Sequence, residues 1–324
     1  SIVGNYIRNT NNGVQVRDTD NVSITGNTVL VTAPGLGHNA IGCNASNNVT
    51  IADNTAEGSG SDTAVIYVAD STNIVNVSGN IVRAAGRDGI QVGSAGTLHA
   101  TVANNIVYQG GNLGSGGAAL RIDTDNSLAR NNRFAITNNV IEGFSGHGIN
   151  VIGIPSRYLS ITGNRIFDTA LRGMNLDTIF EAQITHNHMA DCGNSTTALE
   201  QVYLDSTRTV FAHNTIIGIS GGGASATRGL NLLGTDNEVS HNVMTGAVQD
   251  FGIRVQSGTH RIFENALEGN ATAPMTVVGG TITYRRRGTT AVTFSATPTF
   301  DVSVGDVIDF GAMTANVTAI TLNN

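Results

Sequence analysis

An asparagine returns at one position of a repeating motif. It is seen in Ile24-Thr25-Gly26-Asn27, Val77-Ser78-Gly79-Asn80, Ile136-Thr137-Asn138-Asn139, Ile161-Thr162-Gly163-Asn164 and Ile184-Thr185-His186-Asn187. The series runs Asn5, Asn27, Asn54, Asn80, Asn105, Asn139, Asn164, Asn187, Asn214, Asn242 and Asn265, at spacings of 22 to 34 residues. Two positions after each stands an apolar residue, of which Ala56 is the smallest. A repeat of this period specifies a stack of similar units, and length alone no longer decides the number of domains.

Between successive asparagines lies a second alternating segment: Gly13-Val14-Gln15-Val16, Gly89-Ile90-Gln91-Val92, Gly148-Ile149-Asn150-Val151, Gly173-Met174-Asn175-Leu176, Gly229-Leu230-Asn231-Leu232 and Gly252-Ile253-Arg254-Val255. Alternation sends the second and fourth residues inward and the third outward. Two or three short strands per repeat leave no room for a crossover helix, so each repeat closes on itself as a coil. Parallel strands then stack at ~4.8 Å per turn, and each coil buries its apolar face only against its neighbours. The expected fold is all-β: a right-handed parallel β-helix, a solenoid of about eleven coils, over residues 1–270. Its asparagines should turn inward at one corner and bond coil to coil, as in other stacked amide ladders. After Pro274 the strands lengthen and the asparagine disappears. Residues 271–324 are therefore expected to form a small C-terminal β segment, serving oligomerisation, with the boundary near Ala271. The chain starts in mid-repeat and stops inside an alternating strand, so it reads as cut from a longer one, with its N-terminal cap missing.

Composition excludes several functions. The formal charge of -7 opposes a sequence-independent nucleic-acid binder, which needs a basic surface to displace phosphate counterions. All 17 basic residues are Arg, which removes mechanisms built on a Lys base or Schiff base. No apolar run is long enough to span a bilayer. Cys43 and Cys192 fall six coils apart, roughly 29 Å at the strand spacing, too far for a disulfide, and are expected to be buried thiols.

The two repeated segments together resemble the pectate-lyase-like β-helix superfamily, especially its Asn-rich branch of mannuronan C5-epimerases, sugar-hydrolase and carbohydrate-binding domains, and phage tailspike depolymerases. The resemblance covers residues 1 to about 270 and implies a fold more than a reaction. The Tyr-Asp-Pro-His cluster of mannuronan epimerases is absent, which counts against that activity. The tail from Phe294-Ser295-Ala296-Thr297-Pro298 through Asp306 to Leu322 resembles the β segment that follows the helix in tailspike-like proteins. From this resemblance a homotrimer and an extracellular or virion-surface location are expected.

The outward third positions read Gln15, Gly42, Tyr67, Gln91, Arg121, Asn150, Asn175, Tyr203, Asn231 and Arg254, and two residues further on stand Asp123, Asp177 and Asp205. With His147, Arg172 and Glu200 just before the strands, these residues form a candidate sugar-binding stripe. Asp177, Asp205, Glu200 and Asp123 are the candidate catalytic groups; Tyr203, Arg121, Arg172, His147, Asn150, Asn175 and Arg254 are the candidate substrate contacts. Asp177 and Asp205 on adjacent coils suit a retaining glycosidase or a Ca²⁺ site, while Asp123 with Asp177, two coils apart, suits an inverting pair. The competing structural reading is that each Asp caps the turn after its strand, as expected of Asp70 and Asp236. Extra residues at 109–117, 126–133, 190–198 and 218–226 are expected either to wall a groove over these acids or to be neutral insertions. His186, His213 and His241, with Glu264 next, line up on successive coils. The outer two histidines lie roughly 9.6 Å apart, too far to share one ion, so a surface imidazole stack is expected, with a two-His metal site as the alternative.

The leading expectation is an extracellular polysaccharide-active protein, a glycan depolymerase hydrolysing by paired carboxylates, with no required cofactor and Ca²⁺ as an option. A polysaccharide lyase or epimerase is the alternative enzyme: Arg121, Arg172 or Arg254 would offset a uronate charge while Tyr203 or His147 takes a proton. A non-catalytic carbohydrate-binding or structural β-helix is the alternative from another class, because fold alone does not choose among them.

Overall fold

The computed structural model describes residues 1–10, 13–31, 39–58, 64–70, 74–83, 87–93, 99–108, 117–124, 133–153, 156–193, 200–218, 228–246, 251–269, 273–279, 281–284, 292–295, 299–300, 302–303 and 307–308. Among these residues every regular element is a strand. Three sheets run along the stack, and from residue 2 to residue 284 their strands pair in parallel with the strand one coil away. The first sheet carries the segments that precede the corner asparagines, the second follows them, and the third carries the Gly-Ile-x-Val segments. The second sheet holds 11 strands, all parallel.

Alternation explains why these short segments become strands. In Ile74–Ser78, Val75 and Val77 point inward and Asn76 outward; Leu159–Thr162 repeats the pattern. The inward residues of all three sheets merge into one continuous core with no apolar gap between coils. Phe144 and Phe211 are its largest fully buried side chains. Full burial of each Val, Ile, Leu or Phe stabilises by roughly 1.5–3 kcal/mol, so the stack is held mainly by these ladders.

The corner between the first and second sheets has a fixed backbone. The residue before the asparagine takes positive φ in every coil: Gly4, Gly26, Asp53, Gly79, Asn104, Asn138, Gly163, His186, His213, His241 and Glu264, all between 53° and 70°. The asparagine then turns inward. Asn80 Nδ2 donates to Asn105 Oδ1 at 3.0 Å, to Ile51 O at 2.9 Å and to Ser78 O at 3.1 Å, and its backbone N–H donates to the same Asn105 Oδ1 at 3.0 Å. The pattern repeats from Asn5 to Asn265. This is the inward amide ladder expected from the repeat. The glycine that opens the third-sheet strand has a packing cause: a Cβ on Gly89 would meet Ala119 O and Val107 Cγ1 at 2.6 Å each.

The parallel stack continues past the boundary expected near Ala271. Ala273–Val277 pairs in parallel with Phe251–Val255, and Thr281–Tyr284 pairs in parallel with Thr259–Phe263. Strand direction changes only afterwards, where Val292–Ser295 runs antiparallel to Thr281–Tyr284 and Thr299–Phe300 runs antiparallel to Ala273–Val277. Most of the tail after 284 lies outside the described residues.

Candidate functional site

The outer face of the third sheet is built in the register expected from alternation. Gln15, Gly42, Tyr67, Gln91, Arg121, Asn150, Asn175, Tyr203, Asn231 and Arg254 pair one with the next, coil by coil. Asn150 and Asn175 are linked by an Nδ2–H to Oδ1 bond of 2.8 Å. Asn175 Oδ1 in turn accepts from Arg172 Nη1 at 2.8 Å, and the Arg172 guanidinium lies 4.8 Å from the centre of the Tyr203 ring. Four of the expected contacts thus form one connected polar surface over three coils.

Beside this row runs a second, formed by the residues that lead into the strands: Asp88, Ala118, His147, Arg172, Glu200 and Arg228. Glu200 is only 2% exposed. One of its oxygens receives Arg172 at 2.5 Å and the other Arg228 at 3.5 Å. A carboxylate this deep is tolerable because two guanidiniums face it. Glu200, expected among the catalytic acids, is therefore placed as the anchor of Arg172 and Arg228, with both oxygens engaged. Arg121 shows the reverse arrangement: it pairs with Asp123 at 2.9 Å and with the buried Asp88 at 3.9 Å. Burial pushes the Asp88 carboxyl above the usual carboxylate range, against the pull of the Ala118 N–H and Arg121.

Asp177 and Asp205 are the carboxyls left open. Leu176 pairs with Leu204, but the next pairing is Ile179 with Ser206, so Asp177 and Thr178 together oppose the single residue Asp205. This is a β-bulge, a device that re-aims side chains at the cost of a ladder bond. Thr178 sits in it at φ 57°, a conformation costly for a β-branched residue, and its hydroxyl donates to Asp177 Oδ1 at 3.0 Å. Burial, and then the charge of Asp177, raise the Asp205 carboxyl above its ordinary range. Burial together with Asp205 and Asp177 raises the Tyr203 phenol, which keeps it a proton donor. Asp123 stands apart from this pair: its neighbour on the next coil is Ile152, and its charge is taken by Arg121.

His147 sits between Ala118 and Arg172 in the second row, its Nδ1 buried without a hydrogen-bond partner. Burial, and then the Arg172 charge, push its imidazole down to about 4, so it is neutral at pH 7. Arg254 donates to Gln256 Oε1 at 3.4 Å. Residue-by-residue reading missed Asp88 and Arg228, although the spacing that picked out His147, Arg172 and Glu200 extends to both. The insertions expected to wall the groove, at 109–117, 126–133, 190–198 and 218–226, lie largely outside the described residues.

The histidine series forms a stack. The rings of His186 and His213 lie 5.1 Å apart and those of His213 and His241 4.8 Å apart, and His241 Nε2 meets Glu264 at 2.5 Å. Among the described residues no group of three or more His, Cys, Asp or Glu side chains could hold a metal ion. Both cysteines are free and buried, and burial pushes the Cys192 thiol up to about 11. No described helix is long and apolar enough to cross a membrane.

Among solved structures, the chain is similar to an alginate lyase from Paenibacillus sp. str. FPU-7, with 11% identity over 87% of this chain and 90% of that one, at a TM-score of 0.49. It is also similar to the catalytic unit of a thermostable GH87 alpha-1,3-glucanase from Streptomyces thermodiastaticus strain HF3-3, with 13% identity, 83% and 53% coverage, and a TM-score of 0.48. A third similar structure is PfbA, a surface adhesin of Streptococcus pneumoniae, with 13% identity, 97% and 79% coverage, and a TM-score of 0.40. No curated protein matches the chain. The family described as the right handed beta helix region matches residues 1–107, 64–242 and 122–291, nearly the whole of the stack described above, and the chain belongs to that family.

Proposed function

We propose that the protein is an extracellular polysaccharide hydrolase that holds a glycan along the outer face of the third sheet and cleaves it at Asp177 and Asp205. The observation that carries this reading is the pair itself. Two carboxyls stand on adjacent coils, Asp177 in the only described bulge of this sheet and Asp205 opposite it. They flank an aromatic ring and a hydrogen-bonding row of amides. A separation of roughly 5–5.5 Å suits the retaining mechanism. Asp205, whose carboxyl is raised by burial and by its neighbour, is the general acid. It gives its proton to the glycosidic oxygen as that bond breaks. An Asp177 carboxylate oxygen attacks the anomeric carbon and forms a glycosyl ester. Asp205 then takes a proton from water, whose oxygen displaces Asp177 and restores both carboxyls. Tyr203, Asn175 and Arg172 orient the sugar, and Glu200 positions Arg172. This chemistry requires no cofactor.

A second reading rests on His147, whose Nδ1 is buried without a hydrogen-bond partner beside Arg172. An open ring nitrogen next to a guanidinium is an arrangement that suits the proton abstraction of a uronate lyase, although the lowered pKa makes this imidazole a weaker base than a free one. Incubation with a panel of capsular, uronate and neutral polysaccharides separates the readings. New reducing ends without absorbance of unsaturated uronate mark hydrolysis, and that absorbance marks the lyase. Asp205→Asn and Asp177→Asn are each expected to lower turnover by two or more orders of magnitude, the usual scale for acid–base groups, with the β-sheet circular dichroism unchanged. Unchanged turnover in both variants removes this site. A protein that binds a glycan and never shortens it is a binding module.

A further inference from the structure

Four guanidiniums belong to the two rows on the outer face of the third sheet, between its fifth and tenth strands: Arg121, Arg172, Arg228 and Arg254. Three are spent on the protein's own carboxylates. Arg121 is paired with Asp123 and Asp88, and Arg172 and Arg228 are both paired with Glu200. Arg254 is different. It is half-buried, and its polar contact is with a neutral amide, Gln256 Oε1 at 3.4 Å. That same oxygen accepts from Asn231 Nδ2 at 3.2 Å, so Gln256 holds Arg254 against the amide row without cancelling its charge. The residues paired beside it are also uncharged: Asn231 on one side and Thr276 on the other.

The position of this charge matters as much as its freedom. Arg254 lies two coils beyond Tyr203, with Asn231 between them, or ~9.6 Å along the groove. Asp205 stands on Tyr203's own strand and Asp177 on the coil before it. A groove floored by two open acids repels an anionic chain unless a cation beyond them offsets the repulsion. Arg254 supplies it, with a planar fork suited to a carboxylate.

We propose that Arg254 is an anion subsite that selects an acidic, carboxylate-bearing glycan and sets its register, placing one carboxylate about two coils from the Asp177–Asp205 pair. The inference rests on the reading that the groove binds a glycan. It deepens that reading by naming the charge class of the ligand and the residue that reads it. Among the four, Arg254 is the guanidinium with no carboxylate partner among the described residues, so its charge is the one most open to a carboxylate of the ligand.

The test is binding of polygalacturonate and of dextran, a neutral glucan, to the wild-type chain, Arg254→Gln and Arg254→Lys, by calorimetry at low and high salt. Wild type is expected to prefer polygalacturonate, with affinity falling as salt rises. Arg254→Gln is expected to lose about tenfold in that affinity, the scale of one charge-assisted contact, with dextran binding unchanged, and Arg254→Lys to retain most of it. Unchanged polygalacturonate affinity in Arg254→Gln, or a salt-independent wild-type affinity, overturns the subsite. A wild type that binds dextran alone overturns it too, while leaving the glycan reading standing. A wild type that binds neither polymer, nor any glycan of the wider panel, removes the glycan reading itself. Thermal unfolding of each variant separates lost recognition from lost folding.

Discussion

Asp177 and Glu200 lie on neighbouring coils and have opposite fates because of what touches them. Glu200 faces two guanidiniums with almost no solvent contact, and removing its charge leaves both uncompensated. Glu200→Gln is therefore expected to destabilise the fold by about 3 kcal/mol, read as a lower urea midpoint, and to free Arg172 from its place over Tyr203. Asp177 instead depends on its backbone. Thr178, beside it in the bulge, occupies a left-handed conformation that costs a non-glycine residue roughly 1–2 kcal/mol. Thr178→Gly is expected to raise stability by about 1 kcal/mol while lowering glycan turnover, since Asp177 loses both its hydroxyl partner and its fixed bulge. A variant that is both less stable and fully active would show that the bulge neither stores strain nor aims the acid.

The corner asparagine is the element that makes the stack legible. Its side chain must be an acceptor for two N–H groups on one coil and a donor to two carbonyls, and among small residues an amide meets both demands, so it recurs at every turn. Asn105→Ala strands the backbone N–H of Asn80, takes one of its acceptors from Asn80 Nδ2, and removes the bonds to Val77 O and Asn139 Oδ1. With about 1–3 kcal/mol for each buried group left unsatisfied, a loss of several kcal/mol is expected. Asn265→Ala, at the half-buried end of the ladder, is expected to cost clearly less. Equal losses would mean that the ladder is not cooperative with burial. The same regularity made the outward row readable from Gln15 to Arg254, because a period of two transfers from coil to coil without knowledge of the loops. The bulge at Thr178 was not readable, since it breaks that period by one residue with no Gly to mark it. Nor was the engagement of Glu200 and Arg121, because a charge on a row says nothing about which neighbour its side chain reaches. The left-handed residue before each asparagine is a glycine at Gly26, Gly79 and Gly163 but an imidazole at His186, His213 and His241, where the sequence pointed to the surface stack and not to the backbone conformation.

At the scale of the whole molecule, two imidazoles couple the stack to pH. His147 is held down to about 4, and His260, buried against Asn237 and the Ser257 carbonyl, is also lowered, chiefly by burial. In the unfolded chain both titrate near about 6.5. Between that value and the lowered folded ones, the unfolded state binds more protons than the native state, so stability rises with pH across the window and is lost on acidification. The raised carboxyls of Asp88 and Asp205 act with the opposite sign, since their native forms hold protons longer than the unfolded chain does. Their effect lies above the ordinary carboxylate value of about 3.9 and opposes that of the imidazoles, so the imidazole contribution is isolated by comparing each His→Gln variant with the wild type from pH 7 down to about 5. Urea unfolding of the wild type is expected to give a lower midpoint at the acid end of that range. The His147→Gln and His260→Gln variants are each expected to flatten the slope, because a Gln side chain binds no proton in either state. A wild-type midpoint that stays constant over the range would mean that both rings keep enough solvent to titrate normally when folded. The charge row beside His147 would then be more open than the two-arginine clamp on Glu200 implies.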